Sequence, residues 1–202
     1  MMAEDPQPSM LAAALQAWDA GLCIIRARND GTKRPEHNWT QYQAERPSRE
    51  QVAAWFADGY PAMGAVTGAV SGDLEMLELE GRFVTEQGTR AFADAMKDAG
   101  LELLLKRLTS SLVTISPSDG RHLIYNVDGH VDGNTKLAVR PSTPAELAAN
   151  PKAPTQTLIE TRGEGGFIML APSHGTAHPT GKAWKIGQGG YGSIPRISAA
   201  ER

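Results

Sequence analysis

Leu74-Glu75-Met76-Leu77-Glu78-Leu79-Glu80-Gly81 is the stretch that decides how this chain is read. It is an apolar, strand-like run, yet it closes on two glutamates spaced one residue apart, and Glu is depleted in strands. In a β-strand residues i and i+2 point to the same face about 6.5 to 7 Å apart, so Glu78 and Glu80 share a face. Two carboxylates with that separation can hold one divalent cation, or seat a pair about 3.5 to 4 Å apart for in-line attack on phosphorus. The competing reading is an edge strand whose terminal charges discourage aggregation. A second acid favours the metal: Thr157-Leu158-Ile159-Glu160-Thr161-Arg162 is another β-prone run with a carboxylate near its end. Mg²⁺ suits such a set, because hard cations are held by one or two carboxylates together with waters and substrate phosphates.

Composition bounds the rest. At 202 residues and 41% hydrophobic the chain can form one sizeable domain or two small units sharing a core. A net charge of −3 argues against an overall basic coat for nucleic acid, so any such contact comes from a local patch among its 20 Lys and Arg residues. The single cysteine, Cys23, excludes an intrachain disulfide and a Cys₄ or Cys₂His₂ zinc site, and reads as a core residue. No apolar run approaches the roughly 18 residues of a membrane span. Met1 to Met10 is acidic and contains proline, with no basic leader region, so the expectation is a soluble cytoplasmic protein.

Along the chain, Leu11, Ala14, Leu15 and Trp18 fall at helical spacing before the stop at Gly21, and Leu22 to Ile25 reads as a short buried strand. The loop Asn29 to Pro35 presents the adjacent cations Lys33 and Arg34. Ser48 is a natural cap for a helix carrying Val52, Trp55 and Phe56. Met63 to Gly72 mixes a strand with three glycines, which signals a turn, a bulge or close backbone approach. Residues 84–107 read as one or two helices covering a sheet face, with Phe92, Met96 and Leu101 to Leu105 inside. Ser111 to Ser116 and His122 to Val127 form a hairpin around Pro117-Ser118-Asp119-Gly120. Asp132 to Pro154 is expected to be a long surface loop or irregular insert. The strand of Glu160 and the strand Phe167 to Leu170 are expected to make a second hairpin, followed by a polar loop with Ser173 and His178. The tail Tyr191 to Arg202 looks like the start of a helix cut short, so the chain reads as a fragment of something longer.

Three features thus recur in order: a Glu-x-Glu strand, a turn ending Ser118-Asp119-Gly120-Arg121-His122, and a strand with Glu160 before Arg162-Gly163-Glu164-Gly165-Gly166. Together with Gly31-Thr32-Lys33-Arg34-Pro35, Val66 to Gly72, Gly133 to Ala138 and the Ala171-Pro172-Ser173…His178-Pro179-Thr180-Gly181 ending, they resemble the primase-polymerase domain of bacteriophage and actinobacterial replication proteins, within the archaeo-eukaryotic primase superfamily. The resemblance implies an α/β (α+β) fold, in which an N-terminal α/β portion of about residues 10–72 packs on a catalytic sheet resembling the RNA-recognition motif, about 73–190, all in one catalytic unit spanning 1–202.

It also implies a nucleotidyl transferase, a DNA primase and polymerase using two Mg²⁺ or Mn²⁺ ions. Carried over, the metal ligands are Glu78, Glu80 and Glu160, here with Glu where the family's first motif has Asp, which adds a rotor to each side chain. Arg121 and His122, with Ser118, form the second motif, placing them on nucleotide phosphates, and His122 joins the catalytic group. Lys33 and Arg162 are further candidates for nucleotide contact, as are Ser173 and His178. Lys136 and Arg140 are candidates for the template backbone. The implied partners are single-stranded DNA, ribo- or deoxyribonucleoside triphosphates, and a fused or associated helicase. Two other readings stay open: a non-catalytic single-stranded-DNA-binding module, and a metal-dependent nuclease using the same two cations.

Overall fold

A computed structural model describes residues 8–202, and most of the acidic stretch Met1 to Met10 lies outside the described residues. Helix α1 (Met10–Asp19) starts where the Ser9 hydroxyl accepts from Ala12 N, and buries Met10, Ala13, Ala14 and Ala17, a single i, i+3, i+4, i+7 stripe. Helix α2 (Arg49–Phe56) is capped by Ser48 and buries Val52 and Phe56. Both pack on a three-stranded antiparallel sheet in which β2 (Met63–Val66) lies between β1 (Cys23–Arg26) and β8 (Phe167–Met169).

The larger sheet holds β3 (Leu74–Leu79), β4 (Val113–Ile115), β5 (Arg121–Asp128), β6 (Thr135–Pro141), β7 (Thr155–Arg162) and β9 (Lys185–Gln188), in the order β6-β7-β3-β5-β4-β9; β10 (Arg196–Ser198) runs parallel to the end of β5. β3 is therefore an interior strand, paired antiparallel on both sides, which removes the edge-strand reading of its glutamates. One face of β3, with Leu74 and Met76, shares a core with α1, α2 and the small sheet. The other face, with Leu77, is covered by α3 (Glu86–Asp98) and α4 (Glu102–Thr109) through Leu104 and Leu108. The mixed α/β architecture with an interior acidic strand is the fold the sequence implies. Among the described residues no helix is long and apolar enough to cross a membrane.

Four local expectations are corrected. Residues 132–154 are not a structureless loop but β6 followed by α5 (Pro144–Ala149), whose Thr143 and Glu146 form a reciprocal capping box. The strand is hidden in the sequence because β6 is an edge: Leu137 and Val139 are half exposed, so no buried alternation marks it. β7 and β8 do not make a hairpin. They belong to different sheets, and Gly163 to Gly166 is a crossover fastened by Thr67 N donating to Gly166 O and Ala69 N donating to Glu164 Oε2. The tail is not helical; Pro195 precedes β10, and Ser198 then bonds Glu201 in a turn. Leu103, expected inside, is 83% exposed.

Candidate active site

The site is a row across the large sheet. In register, Glu160 on β7 faces Glu78 on β3, Glu78 faces His122 on β5, and His122 faces Thr114 on β4. Directly paired residues project to the same face, so one line of side chains crosses four strands. On the outer side Lys136 of β6 registers with Glu160, placing an exposed ammonium at the flank of the acids. Glu80 follows β3 by one residue, its N–H still donating to Leu158 O at 2.9 Å, and returns to the face of Glu78. One carboxylate oxygen from each of Glu78, Glu80 and Glu160 lies within 4.8 Å of the others.

This geometry depends on Gly81. A Cβ there would stand 1.7 Å from Ser118 O, so the chain leaving Glu80 lies flat against the β4–β5 turn. The turn itself closes through Asp119 in the left-handed region, φ 64°, with Asp119 N donating to Ser116 O. The two candidate motifs, distant in sequence, are thereby locked together at backbone level.

A cleft of about 310 Å³ opens over the row, lined among others by Lys33, Glu78, Glu80, Ser118, His122 and Arg162. Its far wall is built by two loops, which meet where Thr176 Oγ1 donates to Asn29 O and where Gly31 abuts Pro179. From this wall Lys33, φ 56°, adds its positive charge to the field felt by Glu78, Glu80 and His178. His178 is buried, packs edge-on to Trp184 at 5.5 Å, and reaches Ser118 Oγ at 3.3 Å.

The acids are not equivalent. Burial pushes the Glu78 carboxyl up, but neighbouring His122, together with the charges of Arg162 and Lys33, more than reverses this and leaves it below the usual carboxylate range. Burial pushes Glu80 up and the charge of Glu78 adds to it, so Glu80 sits above that range despite Arg82 at 3.9 Å. Glu160 is buried and paired with the Arg162 guanidinium. His122 Nε2 lies 3.3 Å from Glu78 Oε1, but neither ring nitrogen has a hydrogen bond to the described residues. The contact is an electrostatic approach rather than a hydrogen bond. Three acidic oxygens converging beside buried, unbonded imidazole nitrogens are a suitable donor set for a hard divalent cation.

A sequence model of the family described as bifunctional DNA primase/polymerase, N-terminal (Prim-Pol), matches residues 12–194. The chain belongs to the Prim-Pol family. No curated protein matches the sequence. Against the family's expected motifs, this Prim-Pol domain brings Glu78, Glu80, Glu160, His122, Ser118, Lys33 and Arg162 to one cleft.

It does not bring Arg121 there. Arg121 is the register partner of Leu79, so strand alternation turns it to the opposite face, into a groove with Phe92 and Leu105, where its guanidinium donates to Asp119 O. Arg140 is held by both carboxylate oxygens of Glu146 at 2.8 Å, so its fork is already occupied. Ser173 is fully buried, accepting from Met63 N and donating to Met63 O, which is a structural role. The sequence reading missed Thr32, Ser116, Phe167 and Trp184 of the cleft lining. Only Thr32, beside Lys33, carried a local signal; Trp184 is a lone aromatic in a polar loop.

Proposed function

We propose that this cleft is a template-directed nucleotidyl transferase site that synthesises and extends primers on single-stranded DNA. The observation that carries the reading is the convergence of Glu78, Glu80 and Glu160 within 4.8 Å on the same sheet face as His122. Glu78, Glu80 and Glu160 would hold Mg²⁺ or Mn²⁺, which when bound supplies charge stabilisation for phosphoryl transfer and activation of the attacking 3′-hydroxyl. His122, with its ring nitrogens free, is set to donate to a triphosphate oxygen brought beside Glu78. Lys33 and Arg162 supply positive charge on either side, and Ser118 with His178 offers neutral hydrogen bonds on the wall.

The substrates are then a single-stranded DNA template and ribo- or deoxyribonucleoside triphosphates, with a fused or associated helicase as the partner implied by resemblance. Lys136, at the flank of the acids, stays in this reading as a template contact. The test is primer synthesis and extension on single-stranded DNA with Mg²⁺ or Mn²⁺, wild type against Glu78→Ala/Glu80→Ala. Product from the wild type that vanishes in the variant supports the reading. DNA that is shortened while triphosphate is not consumed would establish the nuclease instead, and binding with neither outcome would establish a non-catalytic module.

A further inference from the structure

Phe167 is half-buried and lines the cleft together with Thr32 and Lys33. The Trp39 ring lies 6.1 Å from it, tilted by 57°. Beyond Trp39 a shallow groove continues over Pro35, His37, Tyr42 and Trp55, with Tyr42 and Trp55 edge to face at 5.7 Å. These rings rest on the buried side chains of Cys23, Ile25 and Val66, so they are anchored below, yet Trp39, Tyr42, Trp55 and Phe167 all stay partly open to solvent. A line of fixed, partly open aromatic rings leading out of a catalytic cleft is what stacked bases require.

The charge beside this line has the matching sign. Lys33 and Arg34 are exposed and adjacent, and Arg34 has no ion-pair partner among the described residues. Of the acids close to this loop in the sequence, Glu36 lies 3.8 Å from Arg26 and Asp30 lies 4.0 Å from Arg28. On β6, by contrast, Arg140 is spent on Glu146. Unspent cations and partly open rings therefore coincide on the 33–42 side.

We propose that the Phe167–Trp39–Tyr42 surface is the track of the single-stranded DNA template, with bases stacking on Trp39 and phosphates met by Arg34. The proposal rests on the primase-polymerase reading for the identity of the strand, but its contacts are separate from the chemistry. A nucleic-acid strand entering the cleft by this route passes Phe167 before it reaches the carboxylates, and the groove beyond Trp39 receives the part not being copied.

The experiment is fluorescence anisotropy with a 5′-fluorescein oligo(dT) of about 20 nucleotides, as a function of salt, with circular dichroism as a folding control. Trp39→Ala is expected to weaken binding about 5- to 150-fold, the range for one lost base-aromatic stack. Arg34→Gln is expected to lower the slope of log affinity against log salt by about 0.7. Trp39→Phe, which keeps an aromatic ring in the packing, is expected to fall between Trp39→Ala and the wild type. Nucleotide affinity in Mn²⁺ stays at the wild-type value in all three.

Should Trp39→Ala fail to fold, Trp39→Phe and Arg34→Gln decide the matter. Wild-type binding by folded Trp39 and Arg34 variants, or no binding of oligo(dT) by the wild type at low salt, overturns the proposal. The two readings separate cleanly. Binding that depends on Trp39 in a protein that makes no primer leaves the track standing and removes the catalytic reading; primer synthesis undisturbed by either substitution does the reverse.

Discussion

Glu78 and His122 are cross-strand partners on β3 and β5, with Oε1 and Nε2 3.3 Å apart and both imidazole nitrogens lacking a hydrogen bond to the described residues. A buried imidazole held against a carboxylate without being consumed by it is a donor kept ready for another group. His122→Asn should therefore lower primer extension about 10²- to 10³-fold, as for loss of one preorganised donor to developing charge. Single-turnover extension with a pre-annealed primer measures this, and an unchanged rate would remove His122 from the chemistry.

The charges of Glu78 and Glu160 both oppose ionisation of Glu80. Glu80 is the informative member, since burial and the charge of Glu78 hold its carboxyl above the ordinary range. A raised carboxyl stabilises the fold at low pH and loses that contribution as pH rises through its folded value. Glu80→Gln should thus stabilise the metal-free protein at neutral pH. In the wild type, Mn²⁺ at a hundred times its dissociation constant should add about 2.7 kcal/mol to unfolding, reversed by EDTA and reduced in Glu80→Gln. Thermal melts with and without the ion check both.

Strand alternation places Arg162 at the end of β7 and Arg121 at the start of β5 on opposite faces of the sheet. Arg162 lines the cleft while Arg121 lies on the other face. Arg162→Ala should weaken nucleotide binding about tenfold or more, the scale of a hydrogen bond to a charged group, and Arg121→Ala should leave it within about twofold. Equilibrium binding of a fluorescent nucleotide analogue with Mn²⁺ distinguishes them.

Glu75 is wholly buried on the helix-covered face of β3. Arg202 Nε and Nη2 contact its carboxylate at 3.0 Å, and Tyr125 Oη donates to it at 2.8 Å. Breaking such a pair leaves an uncompensated buried charge. Arg202→Ala should cost about 3 to 5 kcal/mol in urea unfolding, and adding Glu75→Gln should restore part of it.

The Cys23 thiol is fully buried and burial pushes it up to about 12. Its thiolate is correspondingly scarce in the native state, so a disulfide reagent at pH 8 should label native protein at least about 10³-fold more slowly than unfolded protein. Because the folded value is raised, the stability it contributes is present below about pH 8.5 and is lost as pH climbs towards the folded value.

Much of this protein was legible in order. Local rules settle α1, α2 and the β4–β5 hairpin, because capping by Ser9 and Ser48, the alanine stripe and the turn at Asp119-Gly120 act within a few residues of themselves. The pairing of Glu78 with Glu80 follows from strand periodicity alone, and Glu160 from its like setting. What edges and crossovers do was not legible. β6 has no buried face to leave a pattern, and the glycines after Arg162 serve a change of sheet as readily as a hairpin.

The sequence by itself determined which residue types could bind a cation and in what order they occur, since a two-residue repeat is a property of the chain. The tertiary structure decided which of them meet. Register across β7, β3, β5 and β4 set Glu160, Glu78, His122 and Thr114 in one row and turned Arg121 away. Ion pairing spent Arg140 on Glu146. Register joins strands far apart in the chain, and the Arg140–Glu146 pair closes only where β6 turns into α5; a side chain's face and its free charge are fixed only when those partners are in place.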